Sequence, residues 1–158
     1  VILMTDEELQ IIRNRCEKAT GEPWILLYFG RDDYIIQTAG EEDLEITGAT
    51  VADYHFIADA RQDVITLLDE IENIHSNQYT LNNNELEKIR NRCEKATGGK
   101  WTAYIEGRDI ECGSSFIQTA GEDLEITGAT VADYDFIAHA RQDIILLLDE
   151  IEKLHSQL

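Results

Sequence analysis

Apolar and polar residues alternate along this chain in a pattern that predicts the same series of elements twice. Leu9, Ile12, Cys16 and Ala19 recur at helical spacing and give the opening segment one apolar face. Thr5 followed by Glu8 reads as a capping box, and Asp6 and Glu7 suit the positive N-terminal end of a helix. Gly21 stands near the usual C-cap position, and Pro23 discourages continuation. The period then shortens. Residues 24–29 are aromatic and aliphatic, residues 34–38 follow a turn, and residues 44–47 alternate as a half-buried strand does. Glycine-containing turns between them favour an antiparallel meander. Thr50 with Asp53 caps a further helix. That helix has two readings. Either it ends near Arg61 and a second one starts at Asp63 with Val64, Leu67, Leu68, Ile71 and Ile74 on its apolar side, or one bent helix runs through both.

The series returns with long stretches of identical sequence. Residues 12–21 come back at 89–98, residues 43–54 at 123–134, and residues 56–72, slightly altered, at 136–152. The second strand set falls at 101–105, 115–119 and 124–127, and the last helix carries Ile144, Leu147, Leu148, Ile151 and Leu154. The chain therefore divides into a first repeat (4–76), a polar linker rich in Asn and Gln (77–83) and a second repeat (84–158). The expected fold class is α+β, a tandem repeat of an α-β-β-β-α(-α) unit with helices packed on a small antiparallel sheet. A unit of this size has a marginal core, so the two copies are expected to pack as an intramolecular pseudo-dimer. One loop differs. The second copy has a long loop over residues 109–115 where the first has only Asp32, Asp33 and Tyr34. Loops that differ on a shared scaffold are where binding usually lives.

Composition narrows the function classes. Hydrophobic content of 43% argues for a folded chain over a disordered one. No apolar run approaches the length that spans a bilayer, and the opening Val1, Ile2 and Leu3 are too short for a signal-peptide core. With Met4 read as the natural start, no membrane partner and a cytoplasmic location are expected. The net charge of −19 disfavours direct contact with nucleic acid, which needs a positive face. The same charge keeps a chain dissolved, and it can also imitate nucleic acid toward a basic protein. The three cysteines suit a reducing compartment, and Cys16 and Cys93 lie on apolar helix faces as inert core thiols.

The candidate chemistry is sparse. His55, His75, His139 and His155 show no ligand spacing with one another or with cysteine, so no metal and no cofactor is expected. Ser114 and Ser115 beside Cys112 lack a histidine placed by sequence. His139 could approach, although the first copy has Asp59 at that position. Arginine is more informative. All eight fall into matched pairs: Arg13 with Arg90, Arg15 with Arg92, Arg31 with Arg108, and Arg61 with Arg141. They can pair with the many nearby carboxylates, or some can converge on an anion, since the guanidinium fork binds phosphate bidentately. Arg108 and Asp109 open the loop that holds Ser114 and Ser115, whose hydroxyls and backbone N–H groups could complete a phosphate cradle. Trp24 and Trp101 begin the first strand of each copy. They read as core residues or, alternatively, as stacking surfaces for a base. The candidate ligand set is Arg108, Asp109, Ser114, Ser115, Trp101, Arg141, Arg31 and Trp24.

The run Arg-Cys-Glu-Lys-Ala-Thr-Gly, then Glu-Gly-Arg-Asp with Gly-Ser-Ser-Phe-Ile, then Asp-Phe-Ile-Ala-His-Ala-Arg-Gln-Asp-Ile resembles small accessory proteins of phages and prophages that carry one such unit. In that family the first segment usually reads Ala-Thr-Pro-Gly-Pro-Trp and a proline follows Gln-Asp-Ile. Here Gly21-Glu22-Pro23 and Gly98-Gly99-Lys100 stand in the first place, and Ile145, or Ile65 in the first copy, in the second. The resemblance implies a setting in an infected or lysogenic bacterium. It implies a non-enzymatic counter-defence protein that sequesters a small anionic nucleotide signal of the cyclic nucleotide or cyclic ADP-ribose type. The alternatives are an acidic inhibitor or nucleic-acid mimic docked on a basic host protein and, third, a hydrolase of such a signal. Further homo-oligomerisation of the fused pair is open.

Overall fold

The protein is described by a computed structural model covering residues 2–31, 33–78 and 81–158. The fold is α+β, in the order α1 (Asp6–Lys18), β1 (Ile25–Tyr28), β2 (Tyr34–Gln37), β3 (Glu45–Thr47), α2 (Val51–His75), α3 (Asn83–Lys95), β4 (Thr102–Tyr104), β5 (Phe116–Gln118), β6 (Glu125–Thr127) and α4 (Val131–His155).

Each of the four helices among the described residues opens on a reciprocal capping box. Thr5 accepts from the Glu8 N–H at 3.1 Å while Glu8 accepts from the Thr5 N–H at 2.8 Å. Asn82 and Glu85 repeat this at α3, and Thr50 with Asp53 and Thr130 with Asp133 do so at α2 and α4. Helices α1 and α3 stop before the glycines that the sequence offers as C-caps. Ala19 and Ala96 are already extended, with ψ of 159° and 158°. The cause lies one residue on. The backbone N–H and hydroxyl of Thr20 both donate to Asp133, at 2.6 and 2.7 Å, and those of Thr97 both donate to Asp53 at 2.6 Å. These bonds draw the chain out of helical geometry.

Of the two readings for the long C-terminal segment, the single helix is the one observed. α2 and α4 are each 25 residues long and unbroken. Asp63 is not a helix start. It is buried in the middle of α2, where its carboxylate accepts from Arg92 of α3 at 2.8 and 3.3 Å. Asp143 takes two bonds from Arg15 of α1 at 3.0 Å in the same way. The two long helices pack against each other, which is why Phe56, Ile57, Ala60, Val64 and Leu67, with their counterparts in α4, are almost wholly buried.

The strands correct the expected meander. Each repeat has one antiparallel hairpin, β1 with β2 and β4 with β5. The third strands pair with each other instead. β3 and β6 run antiparallel with Ile46 opposite Ile126. Among the described residues, only single bridges, Ile36 to Leu44 and Ile117 to Leu124, tie each third strand to its own hairpin. Alternation along residues 44–47 reports one buried face and says nothing about which strand lies alongside. The crossing is close. A Cβ on Gly48 would overlap the carbonyl oxygen of Asp123, and one on Gly128 that of Asp43; both glycines have φ near +90°, at 90° and 88°. The outer groups of this ribbon are satisfied by tyrosine. The Tyr54 hydroxyl accepts from the Ile46 N–H at 2.9 Å and donates to the Ile46 carbonyl at 2.8 Å, and Tyr134 does the same at Ile126.

Aromatic packing also crosses between the repeats. Trp24 meets Phe136 edge-on at 5.9 Å between ring centres, and Trp101 meets Phe56 at 5.7 Å. Asp53→Ala would leave the Thr97 and Thr50 N–H groups and the Thr97 hydroxyl without an acceptor. We expect it to lower unfolding free energy in urea by about 3–5 kcal/mol, as for one partner removed from a buried charged network. A loss below about 1 kcal/mol would mean that the clamp contributes little. Burial, opposed by their arginines, raises the pKa of Asp63 and of Asp143. A raised folded pKa means that the folded state holds the proton more tightly, so this contribution is present at acid pH and lost as pH rises through the folded value. The stability of the parent protein relative to Asp63→Asn, measured by denaturation from about pH 3 to about pH 7, should therefore fall with rising pH.

Candidate functional site

Most arginines are spent on structure. Arg13 reaches Asp69 and Glu72, Arg90 reaches Asp149 and Glu152, Arg15 reaches Asp143, and Arg92 reaches Asp59 and Asp63. Arg61 meets Glu22 at 2.6 Å. Arg108 is held most fully. Its two terminal nitrogens take the Asp135 carboxylate at 2.7 and 2.9 Å, and Nε and Nη2 donate to Asp109 at 3.0 and 2.9 Å. Those bonds, to Asp135 first and then Asp109, raise the guanidinium pKa further and lower that of Asp109.

The 109–115 loop is folded on itself. The Asp109 carboxylate accepts from the Ile105 N–H at 2.9 Å, and the Gly107 N–H donates to the Ile110 carbonyl at 2.8 Å. The Ser115 hydroxyl accepts from the Glu106 N–H at 3.0 Å, so it serves the loop's own backbone, and Ser114 is exposed. Neither serine lines a cavity beside Arg108. Trp24 and Trp101 are buried, and their indole N–H groups donate to the carbonyls of Thr20 and Thr97 at 2.8 Å. Arg31 sits exposed at the tip of the β1–β2 turn with φ of 52° and has no ion pair among the described residues. Asp32, in the shorter loop, lies outside the described residues.

Arg141 differs from its counterpart. Arg61 is neutralised by Glu22, but the second repeat carries Gly99 where the first has Glu22, and Lys100 where it has Pro23. Arg141 therefore has no ion pair among the described residues and makes only a 3.5 Å bond from Nη1 to the Gly99 carbonyl. A side chain at Gly99 could not restore the carboxylate without strain. Its φ is +87°, and a Cβ would lie 2.9 Å from that of Ala120. The unpaired Arg141, with Lys100, Trp101, Arg108 and His139, lines a cavity of about 530 Å³ on the flank of α4. Trp101, Arg108 and Arg141 of the predicted set thus converge there, with Asp109 bonded behind Arg108, while Trp24 and Arg31 stand in the other repeat. Lys100 and His139 complete the lining. The comparison of Glu22-Pro23 with Gly99-Lys100 carried their signal, but only the structure shows that residue 22 faces the arginine of α2.

A second cavity of about 500 Å³ adjoins this one and shares Arg108, Asp135 and His139 with it. It continues past Val131 to Arg15 and Lys18 of α1. His139 is oriented by its own helix, with Nδ1 2.7 Å from the Asp135 carbonyl oxygen. The carbonyl can only accept, so Nδ1 is the donor, and Nε2 is left facing away from that bond. Across the two cavities five cations and His139 face two carboxylates, Asp135 and Asp143, in a chain of net charge −19. The matching position in the first repeat is a cavity of about 460 Å³ lined by Val51, Ala52, His55, Asp59, Arg92 and Lys95. Here histidine and aspartate have exchanged places one turn apart, and Asp59 adds a second carboxylate to Arg92. Among the described residues no cluster of three or more His, Cys, Asp or Glu side chains could hold a metal ion, and no helix is long and apolar enough to cross a membrane.

No family model, curated protein or solved structure matches the chain.

Burial pushes the thiols of Cys16 and Cys93 up to about 11, whereas Cys112 is exposed. Titration of the native protein with a chromogenic disulfide near pH 8 should modify Cys112 alone, and all three thiols only after unfolding. Rapid reaction of a second thiol in the native protein would contradict the assigned burial.

Proposed function

We propose that the two repeats form an intramolecular pseudo-dimer, and that the second repeat uses its altered flank of α4 to bind and sequester a small anionic nucleotide. The reading is of a counter-defence binding protein rather than an enzyme. The observation that carries it is the missing carboxylate. On a scaffold that pairs Arg61 with Glu22, the second repeat leaves Arg141 unpaired, sets Lys100 beside it and leaves a cavity large enough for a small molecule. An unpaired guanidinium in a partly enclosed cavity strengthens the case for an anion, because charge-assisted bonds made there are stronger than in open water. The ligand anchor moves accordingly from Arg108, whose fork is filled by Asp135 and Asp109, to Arg141. A basic host protein is the second reading, favoured by the net charge of −19.

A thermal-shift panel of cyclic mono-, di- and trinucleotides and cyclic ADP-ribose isomers tests the first reading. Ligand at a hundred times its Kd stabilises the folded state by about 2.7 kcal/mol, several degrees for a chain of this length. The shift should vanish in Arg141→Ala, whose own melting temperature stays close to the parent's, and the bound compound should be recovered unchanged. No shift across the panel rejects the nucleotide reading, and turnover of the compound makes the protein a hydrolase.

A further inference from the structure

We infer that the ligand site is a two-chamber groove built by both repeats, and that it selects molecules with two separated phosphate groups. The inference rests on the anion-binding reading above and specifies its ligand. The two cavities overlap along α4, one spanning Val131 to His139 and the other Asp135 to Asp143. One begins at Val131 and the other ends at Asp143, roughly 18 Å along the axis at 1.5 Å per residue. Their shared wall is Arg108, clamped by Asp135 and Asp109, together with His139.

Each chamber holds cations that the fold does not use. In the chamber nearer the C-terminal half of α4 these are Arg141 and Lys100. In the other it is Lys18 of α1, exposed and without an ion pair among the described residues, beside an Arg15 whose bonds go to Asp143. Lys18 belongs to the first repeat, so neither repeat alone supplies both ends of the groove.

The dividing wall fits the role. Arg108 has its fork engaged by the Asp135 and Asp109 carboxylates, so it is fixed in place as a divider whose charge is already compensated, and it leaves phosphate binding to the cations on either side. His139, with Nδ1 committed to its own helix backbone, has Nε2 available at the same wall. One phosphate per chamber would meet Arg141 and Lys100 on one side and Lys18 on the other, with the connecting sugar or base crossing above Arg108. At the corresponding places beside α2 the charge is reduced in both chambers, because Glu22 neutralises Arg61, the counterpart of Arg141, and Asp59 adds a second carboxylate to Arg92, the counterpart of Arg15. The groove is therefore expected once per chain.

Isothermal titration with adenosine 3′,5′-bisphosphate and with adenosine 5′-monophosphate tests this on the full chain. The parent should bind the bisphosphate about tenfold or more tightly than the monophosphate. Lys18→Ala, at an exposed position that leaves the melting temperature unchanged, should remove most of that preference and leave the monophosphate affinity as it was. Lys95→Ala, the matching change on α3, which lines the corresponding cavity beside α2, should alter neither. Equal affinity for the two probes, an unaffected preference in Lys18→Ala, or no binding of either probe would each overturn the two-chamber groove. Arg141 dependence in the nucleotide panel would survive any of those results, and its loss alone would remove the underlying reading.

Discussion

Asp53 and Asp133 are the contacts on which the arrangement of the two repeats turns. Each is fully buried, and each serves two structures at once. Within its own repeat it closes the capping box of the long helix by accepting from the N-cap backbone, at 3.0 Å for Thr50 and 3.1 Å for Thr130. Across to the other repeat it takes the backbone N–H and hydroxyl of the threonine that ends the short helix. A buried carboxylate is tolerable only when its lone pairs are filled, and here they are filled by groups from both repeats. Docking of the other repeat fills the lone pairs that the cap leaves over, which is what lets the carboxylate be buried. The exit angle of the short helix, the entry into the strand that follows it and the seat of Trp24 on Phe136 all follow from that bond. The β3–β6 crossing and the Arg15–Asp143 and Arg92–Asp63 pairs then repeat the lesson at other heights of the molecule.

So tight a scaffold restricts where the copies can diverge. The clamp residues, the glycines at the strand crossing and the tyrosines that close the ribbon are the same in both repeats, because a change at any of them would strand a buried polar group or force a backbone clash. Divergence collects instead at the start of the first strand, in the turn after it and on the exposed side of the long helix. These are the positions that surround Arg141 and Arg108. A short set of exchanges, Glu22-Pro23 for Gly99-Lys100 and His55 with Asp59 for Asp135 with His139, alters local charge without touching a buried contact.

Much of the fold was legible in the sequence because its signals are local. The Thr5–Glu8 and Thr50–Asp53 boxes, the 3.6-residue stripe on the helices and the strand alternation each depend on neighbours a few residues away. The repeat itself needed no structure to see. What could not be read were contacts between residues far apart in the chain. Asp53 announces a helix start, but nothing near it announces Thr97. The third strand shows a buried face, but a meander and a strand exchange bury the same residues. Asp63 resembles a helix start because a buried acid in mid-helix makes sense only once Arg92 is placed beside it. At the site, the loop with two serines drew notice because it differs most, whereas the charge imbalance arises from a two-residue exchange whose effect depends on the arginine it faces.

The overall charge constrains how such a site could operate. A field from net charge −19 opposes the approach of any anion at long range, so association cannot draw on electrostatic steering. At physiological ionic strength, however, the Debye length is about 8 Å, and exposed acids farther away than that are largely screened. The cations lining the groove act at contact distance, in a partly enclosed space where screening is weaker. Salt therefore weakens the repulsion from the distant surface more than the attraction within the groove, the opposite balance to a protein that gathers anions with a broad basic face. An acidic exterior around a short cationic groove also rejects polyanions, whose further phosphates would lie against carboxylates, while admitting a ligand small enough to stay inside it. The same charge that disfavours contact with nucleic acid thus narrows the proposed ligand to a compact molecule.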